Sequence, residues 1–213
     1  MNILVTDDHP LFRDALIRAV SQGLPEATVL GVASVAALQQ ALHEILPDLV
    51  LLDLHLPDAS GFSGLVHVRA QYPELPVIVV SAHEEPTVIQ RAMAHGAAAY
   101  ITKSAAPEQM IHIIQTVLAG EEWLPPWPLS HAVMRSDELN MAERLRELTP
   151  QQYRVLLMLA EGQLNKQIAY DLSVSEATIK AHMTAIFRKL GVQNRTQAVL
   201  ALGTLGVDSV KLG

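Results

Sequence analysis

The sequence predicts a doubly wound α/β domain, a five-stranded parallel sheet, followed by a small all-α four-helix domain. Three observations lead there. Short apolar runs alternate with helical stretches over the first 120 residues. A proline-rich break, Pro125-Pro126-Trp127-Pro128, interrupts the chain. No strand pattern remains beyond Leu148.

The strand segments are 3–5, 27–32, 49–52, 77–80 and 98–101. Ile3-Leu4-Val5, Leu49–Leu52 and Val77–Val80 are apolar without alternation, as expected of strands covered on both faces. Between and after them, helices are predicted at about 10–22, 34–46, 59–71, 84–94 and 107–119. Right-handed crossovers would place them on both sides of the sheet. Residues 121–147 read as a linker that regains helical character at 136–147, with Leu139, Met141, Ala142 and Leu145 as its apolar positions. The second domain spans 148–213 and the first 1–120.

Half of the 213 residues are hydrophobic and 17% are charged, a globular composition. There is no cysteine, which excludes disulfides, thiolate metal sites and a cysteine nucleophile. No apolar run nears the roughly 18 residues of a membrane span. The opening residues lack the basic segment of a secretory leader. A cytoplasmic protein without a membrane partner is expected. The net charge of −7 is unevenly spread. Residues 1–120 hold five basic and twelve acidic side chains, whereas 148–213 hold seven basic and four acidic. The front suits a cation and the back a polyanion.

In a doubly wound sheet, ligands gather beyond the carboxyl ends of the strands. Asp7 and Asp8 follow the first strand, Asp53 ends the third, Ser81 follows the fourth and Lys103 the fifth. Clustered carboxylates repel unless a cation offsets them. Their hard oxygens favour Mg²⁺, which keeps waters and accepts a phosphate. With Lys103 opposite, such a site can hold a phosphoryl group from two sides. A carboxylate can serve as the nucleophile, forming an acyl phosphate. Ser81 can hydrogen-bond the group, and the small Ala82 leaves room for it. His9, His55 and His83 border the pocket and read as exposed loop histidines with splayed rings.

Beyond the linker, Leu148-Thr149-Pro150 offers an N-cap threonine and a first-turn proline for a helix ending near Ala160. A short helix at 165–172, a turn at Ser173-Val174 and a helix from Ser175 to about Leu190 form a helix-turn-helix candidate. Ile179, Met183, Ile186 and Leu190 should face the core. Lys180, Ala181, Thr184 and Arg188 form another face, basic with small residues between, suited to a major groove. Asn165, Lys166, Thr178, Arg188 and Lys189 are candidate phosphate contacts.

Asp7-Asp8, Asp53, Ser81, Tyr100 and Lys103, with Leu56-Pro57 and Gly61, resemble the receiver domain of bacterial two-component response regulators, a flavodoxin-like fold. The resemblance covers about residues 1–120. It implies that Asp53 accepts phosphate from a sensor histidine kinase. It implies that Asp8, Asp53 and the main-chain carbonyl of His55 hold Mg²⁺, with Asp7 acting largely through water. It also implies that Ser81 and Tyr100 move together in response.

The C-terminal motifs, among them Asn165-Lys166-Gln167-Ile168-Ala169 and Thr178-Ile179-Lys180-Ala181-His182, resemble the DNA-binding domain of LuxR-type regulators. The whole chain is thus similar to the NarL/FixJ subfamily. That implies binding to double-stranded promoter DNA as a homodimer when phosphorylated. The last helix, with Arg195, Thr196, Val199 and Leu202, would contribute to the dimer. Gln151, Gln152 and Leu164 depart from the family pattern. The expected class is a regulator, not an enzyme; an aspartyl-phosphate hydrolase is the main rival, and a constitutive DNA-binding or dimerisation module with a vestigial receiver is the second. The receiver is expected either to cover Lys180 and its neighbours or to disfavour the dimer until phosphorylation.

Overall fold

A computed structural model of the protein describes residues 1–59, 61–123 and 136–206. The proline-rich break falls outside the described residues. Strands β1 (Asn2–Thr6), β2 (Thr28–Val32), β3 (Leu49–Leu52), β4 (Val77–Ser81) and β5 (Ala99–Thr102) form one parallel sheet in the order β2-β1-β3-β4-β5. The expected doubly wound topology is present. The order reverses beside β1 and β3, so their carboxyl ends border a crevice.

Alternating side chains serve two cores. Ile3, Val5, Leu49, Leu51, Ile78 and Val80 pack with helices α1 (Pro10–Gly23) and α5 (Pro107–Leu118). Leu4, Val50, Leu52, Val77 and Val79 pack beneath α2 (Val35–Glu44), α3 (Ser63–Gln71) and α4 (Pro86–Ala94). The unbroken apolar runs therefore report burial on both faces. The edge strand β2 is partly exposed.

Two helices begin later than the sequence suggests. α4 starts at Pro86, not residue 84, and Glu85 is extended. A proline disfavours helical geometry in the preceding residue but suits the first turn itself. α3 starts at Ser63, not 59. Ahead of it, the Asp58 carboxylate accepts the amides of Val35 and Ala36 at 2.9 and 2.8 Å, and Gly61 has φ +50°. Asp58 thereby caps α2 from a distant loop.

The C-terminal residues form α6 (Ser136–Arg146), α7 (Pro150–Ala160), α8 (Asn165–Asp171), α9 (Glu176–Leu190) and α10 (Arg195–Gly203). Thr149 caps α7 as anticipated. Gln152, one of the departures from the family pattern, closes a capping box with it: each residue's side chain accepts the other's amide, at 3.2 and 3.3 Å. Gln152 also accepts Lys189 Nζ at 2.7 Å. Tyr153, Val155, Leu156, Leu159, Ile168, Ile179, Ile186 and Leu190 fill the core. Leu139 of α6 is exposed, whereas Met141, Ala142 and Leu145 are buried.

Gly191 ends α9 in the left-handed region, at φ 67°. A Cβ there would collide with Arg144 Nη1, which donates to Leu190 O at 2.7 Å. Gly191→Ala is expected to destabilise the chain by about 1–2 kcal/mol from backbone strain, with the loss of that bond added. A urea denaturation midpoint below that of the wild type checks this; an unchanged midpoint rejects it.

The two halves pack together. Phe62 N donates to Leu205 O at 2.9 Å, and Gln71 Nε2 to Leu148 O at 3.1 Å. The Arg91 guanidinium, stacked over Phe62, donates through Nε to Glu138 Oε1 at 2.9 Å and through Nη2 to Gly206 O at 3.1 Å. His95 Nε2 lies 2.8 Å from the same Glu138 oxygen. α3 and α4 therefore hold α6 and the segment that follows α10.

Candidate functional site

The site lies at the carboxyl ends of β1, β3, β4 and β5. Asp53 is 2% exposed and Asp7 1%, while Asp8 is half-buried. Lys103 Nζ sits 2.7 Å from both Asp53 Oδ2 and Asp7 Oδ2. The lysine lies over the Phe12 ring, 4.7 Å from its centroid. His9 N donates to Asp7 Oδ1 at 2.8 Å, and Arg13 Nη1 to the Asp7 carbonyl at 2.6 Å. Phe12 and Arg13 belong to α1, next to the first acidic loop. Nothing in the sequence distinguishes them from surface residues of an amphipathic helix.

Burial pushes the Asp53 carboxyl above its ordinary value. The hydrogen bond and charge of Lys103 and the His55 amide oppose this rise, and the negative Asp7 adds to it. Burial works against the Lys103 ammonium, but its pairs with Asp53 and Asp7 prevail and hold its pKa above the usual value. One lysine thus neutralises two buried acids incompletely. Asp53 Oδ1 is buried without a hydrogen-bond partner among the described residues. Ligand atoms of Asp7, Asp8, His9 and Asp53 all lie within 4.8 Å of one another. This oxygen-rich donor set with an unpartnered buried carboxylate oxygen fits a hard divalent cation.

Ser81 is buried, and its Oγ accepts His83 N at 3.3 Å. Tyr100 is buried and donates its hydroxyl to His83 O at 2.8 Å, so Ser81 and Tyr100 meet the same short loop. Burial raises the Tyr100 pKa well above its ordinary value, so the phenol stays protonated as a donor. Ala82 is exposed at the pocket mouth. The expected splaying of the histidine rings is incorrect for two of them. His55 and His83 stack with centroids 5.0 Å apart, joining the loops after β3 and β4, and His83 is half-buried. His9 is exposed, with Nδ1 2.7 Å from Asp8 Oδ1. Loop ends distant in sequence converge here, so ring packing could not be read from either segment.

In the C-terminal domain, Thr178, Lys180, Ala181, Thr184 and Arg188 are exposed along α9, with Lys166 exposed and Asn165 half-buried on α8. Lys189 turns away: its Nζ donates to Glu147 O at 2.8 Å as well as to Gln152. It braces the start of α7 in this structure. The receiver does not cover Lys180, so the first of the two expected modes of restraint is absent.

On α10, Thr196 is exposed and Val199 half-buried, but Leu202 is in the domain core and Arg195 Nη2 donates to Leu159 O at 2.7 Å. Leu200, 69% exposed, was not among the expected positions. Helical phase makes the correction: Ala198 and Leu202, four residues apart, define the inward stripe.

A buried carboxylate cluster opposite a lysine, beneath a serine–tyrosine loop, followed by an exposed basic helix, defines a receiver joined to a helix-turn-helix domain. The comparisons agree. Residues 3–115 match the family described as "Response regulator receiver domain", and residues 146–202 match "Bacterial regulatory proteins, luxR family". The chain is 39% identical over 212 residues to the "Glycerol metabolism activator" of Pseudomonas putida, covering 95% of each chain. It is 33% identical over 203 residues to the "Nitrate/nitrite response regulator protein NarL" of Escherichia coli strain K12, covering 93% of each. The fold is similar to that of the Salmonella typhimurium RcsB response regulator, with TM-score 0.55, 23% identity and coverage of 95% and 97%. The chain belongs to the two-component response regulators of the NarL/FixJ type, a family of transcriptional regulators.

Among the described residues, no helix is long and apolar enough to cross a membrane.

Proposed function

We propose that Asp53 accepts a phosphoryl group from a sensor histidine kinase, and that the chain then binds double-stranded promoter DNA as a homodimer. The observation that carries this reading is Lys103 placed 2.7 Å from both buried Asp7 and Asp53, with Asp53 Oδ1 left unpartnered. An Asp53 carboxylate oxygen would attack phosphorus as the bond to the donor's imidazole nitrogen breaks and its electron pair leaves on that nitrogen. Lys103 balances the charge of the resulting acyl phosphate. Ser81 would donate to a phosphoryl oxygen, beside the small Ala82, and Tyr100 would follow through the shared loop. Asp8, Asp53 and the His55 carbonyl would hold Mg²⁺, with Asp7 acting through water. The ion would neutralise charge on the transferring phosphate.

In this reading the receiver is residues 1–120, the linker 121–147 and the DNA-binding domain 148–213. The protein works in the cytoplasm as a regulator rather than as an enzyme with turnover. Lys180, Ala181 and Thr184 would face the major groove. Asn165, Lys166, Thr178 and Arg188 would contact phosphates, joined by Lys189 if it leaves Gln152. Thr196 and Val199, with Leu200 beside them, would meet the partner helix, while Arg195 and Leu202 hold α10 in place. The likeness to the activator from Pseudomonas putida favours activation over repression.

Genomic fragments bound by the full chain with and without a small-molecule phosphodonor test the reading. Phosphodonor is expected to strengthen a discrete set of sites. Lys180→Ala is expected to weaken binding at those sites by roughly tenfold, the loss of about one good contact. Equal binding by Lys180→Ala and wild type across a salt titration rejects the assignment of α9.

A further inference from the structure

The joint between the halves contains a histidine that the phosphorylation site does not use. His67 lies on α3, 1% exposed, beneath the ring of Tyr153 on α7. The two rings are nearly parallel, with centroids 3.8 Å apart and 13° between planes. Neither His67 nitrogen has a hydrogen-bond partner among the described residues. Tyr153 is buried and donates its hydroxyl to Ser63 Oγ, one turn earlier on α3, at 3.2 Å. A neutral imidazole tolerates this enclosure; an imidazolium would be buried with both N–H groups unmet.

We infer that His67 is an acid-sensitive latch: its protonation releases the helical domain from the receiver.

The other titratable groups around the joint do not compensate such a charge. Tyr153 is a phenol that burial keeps protonated. Asp58, ahead of α3, is bound by the amides of Val35 and Ala36. Glu138, on α6, is taken up by Arg91 of α4 and by His95, which caps that helix. Glu161, just beyond α7, is exposed, and Asp58 repels its charge. Burial alone pulls the His67 pKa down to about 3.

Separation of the domains returns the ring to water, where the ordinary value is 6.5. The docked state binds the proton less readily than the open one. Docking is therefore fully favoured above pH 6.5 and weakens as pH falls below it, by about tenfold per pH unit. Glu138 acts in the same direction but in a lower range. Burial raises its carboxyl, the contacts with His95 and Arg91 outweigh that, and its pKa ends below 4.5. The interval from pH 7.5 to 5.5 thus separates His67 from Glu138.

The chain has no cysteine, so Gln22→Cys and Gln193→Cys, both at exposed positions, can carry a donor and an acceptor dye. Energy transfer in the full chain at nanomolar concentration reports the ratio of docked to open molecules. From pH 7.5 to 5.5 this ratio is expected to fall about tenfold in the otherwise native chain. His67→Phe keeps a ring against Tyr153 without a titrating nitrogen, and its ratio is expected to stay level. His67→Gln, a smaller neutral side chain, provides the same comparison if the phenylalanine variant does not fold. Circular dichroism at both pH values separates domain release from unfolding. A level ratio in the native histidine chain, global unfolding by pH 5.5, or an equal fall in a folded His67 variant overturns the inference.

Discussion

Asp53→Asn is expected to reduce phosphoryl incorporation from a small-molecule phosphodonor to background, a loss of at least about a hundredfold, because it removes the proposed nucleophile outright. Asparagine matches aspartate closely in shape, so the sheet should remain intact. What changes is the chemistry. The amide oxygen is a poor nucleophile, and Lys103 loses one of the two carboxylates it bridges at 2.7 Å. Asp7 is only 1% exposed and is held by Lys103, the His9 amide and its place just after β1, so it is not placed to substitute for Asp53. Intact-protein mass spectrometry of the full chain with phosphodonor and Mg²⁺ measures the result. Wild-type levels of incorporation in the asparagine chain would refute the assignment. Loss of incorporation with unchanged phosphodonor-stimulated DNA binding would refute the coupling.

The second large effect is expected at the joint. Glu138→Ala leaves the Arg91 guanidinium, 1% exposed, without its carboxylate partner. Breaking a buried ion pair from one side costs about 3–5 kcal/mol, because that carboxylate no longer offsets the desolvation of the remaining charge. Here the same oxygen also meets His95 Nε2, so one truncation disrupts two contacts of α4. The joint should open before the sheet loses its protection, since Arg91, His95 and Glu138 lie outside the five strands. Hydrogen exchange should therefore rise along α6 and at Leu205–Gly206 while the five strands keep their protection. Glu138→Gln, which retains the shape and one acceptor oxygen, should show a smaller rise. Unchanged exchange along α6 in Glu138→Ala would show that the pair does not hold the domains together.

The two sites are connected through α4. Ser81 and Tyr100 hydrogen-bond His83 in the loop just before it, and Arg91 and the capping His95 sit at its far end. A displacement of that loop would tilt the helix that grips Glu138 and Gly206. The α9 side chains proposed to meet DNA are already exposed, so receiver control fits restraint of α6 and α10 better than masking of Lys180.

Much of this protein was legible in residue order alone. Unbroken apolar runs such as Leu49–Leu52 and Val77–Val80 specify strands with two covered faces, and the parallel sheet follows from their alternation with helices. Once that topology is accepted, Asp7, Asp8, Asp53, Ser81 and Lys103 must lie at one edge, because each follows or ends a strand. Thr149, Ser175 and Gly191 mark helix ends through local backbone chemistry, and all three do so in the structure.

The tertiary structure alone decided which side chains meet across long separations. Arg91 and Glu138 are 47 residues apart, and His67 and Tyr153 lie in different domains; neither pair has a periodic or local signature. Sequence spacing also could not assign Lys189 to Gln152, send Leu202 inward while Leu200 points out, or stack His55 on His83. Local patterns report the face a residue presents along its own helix or strand. The identity of the group opposite depends on how elements dock, a property of the whole chain.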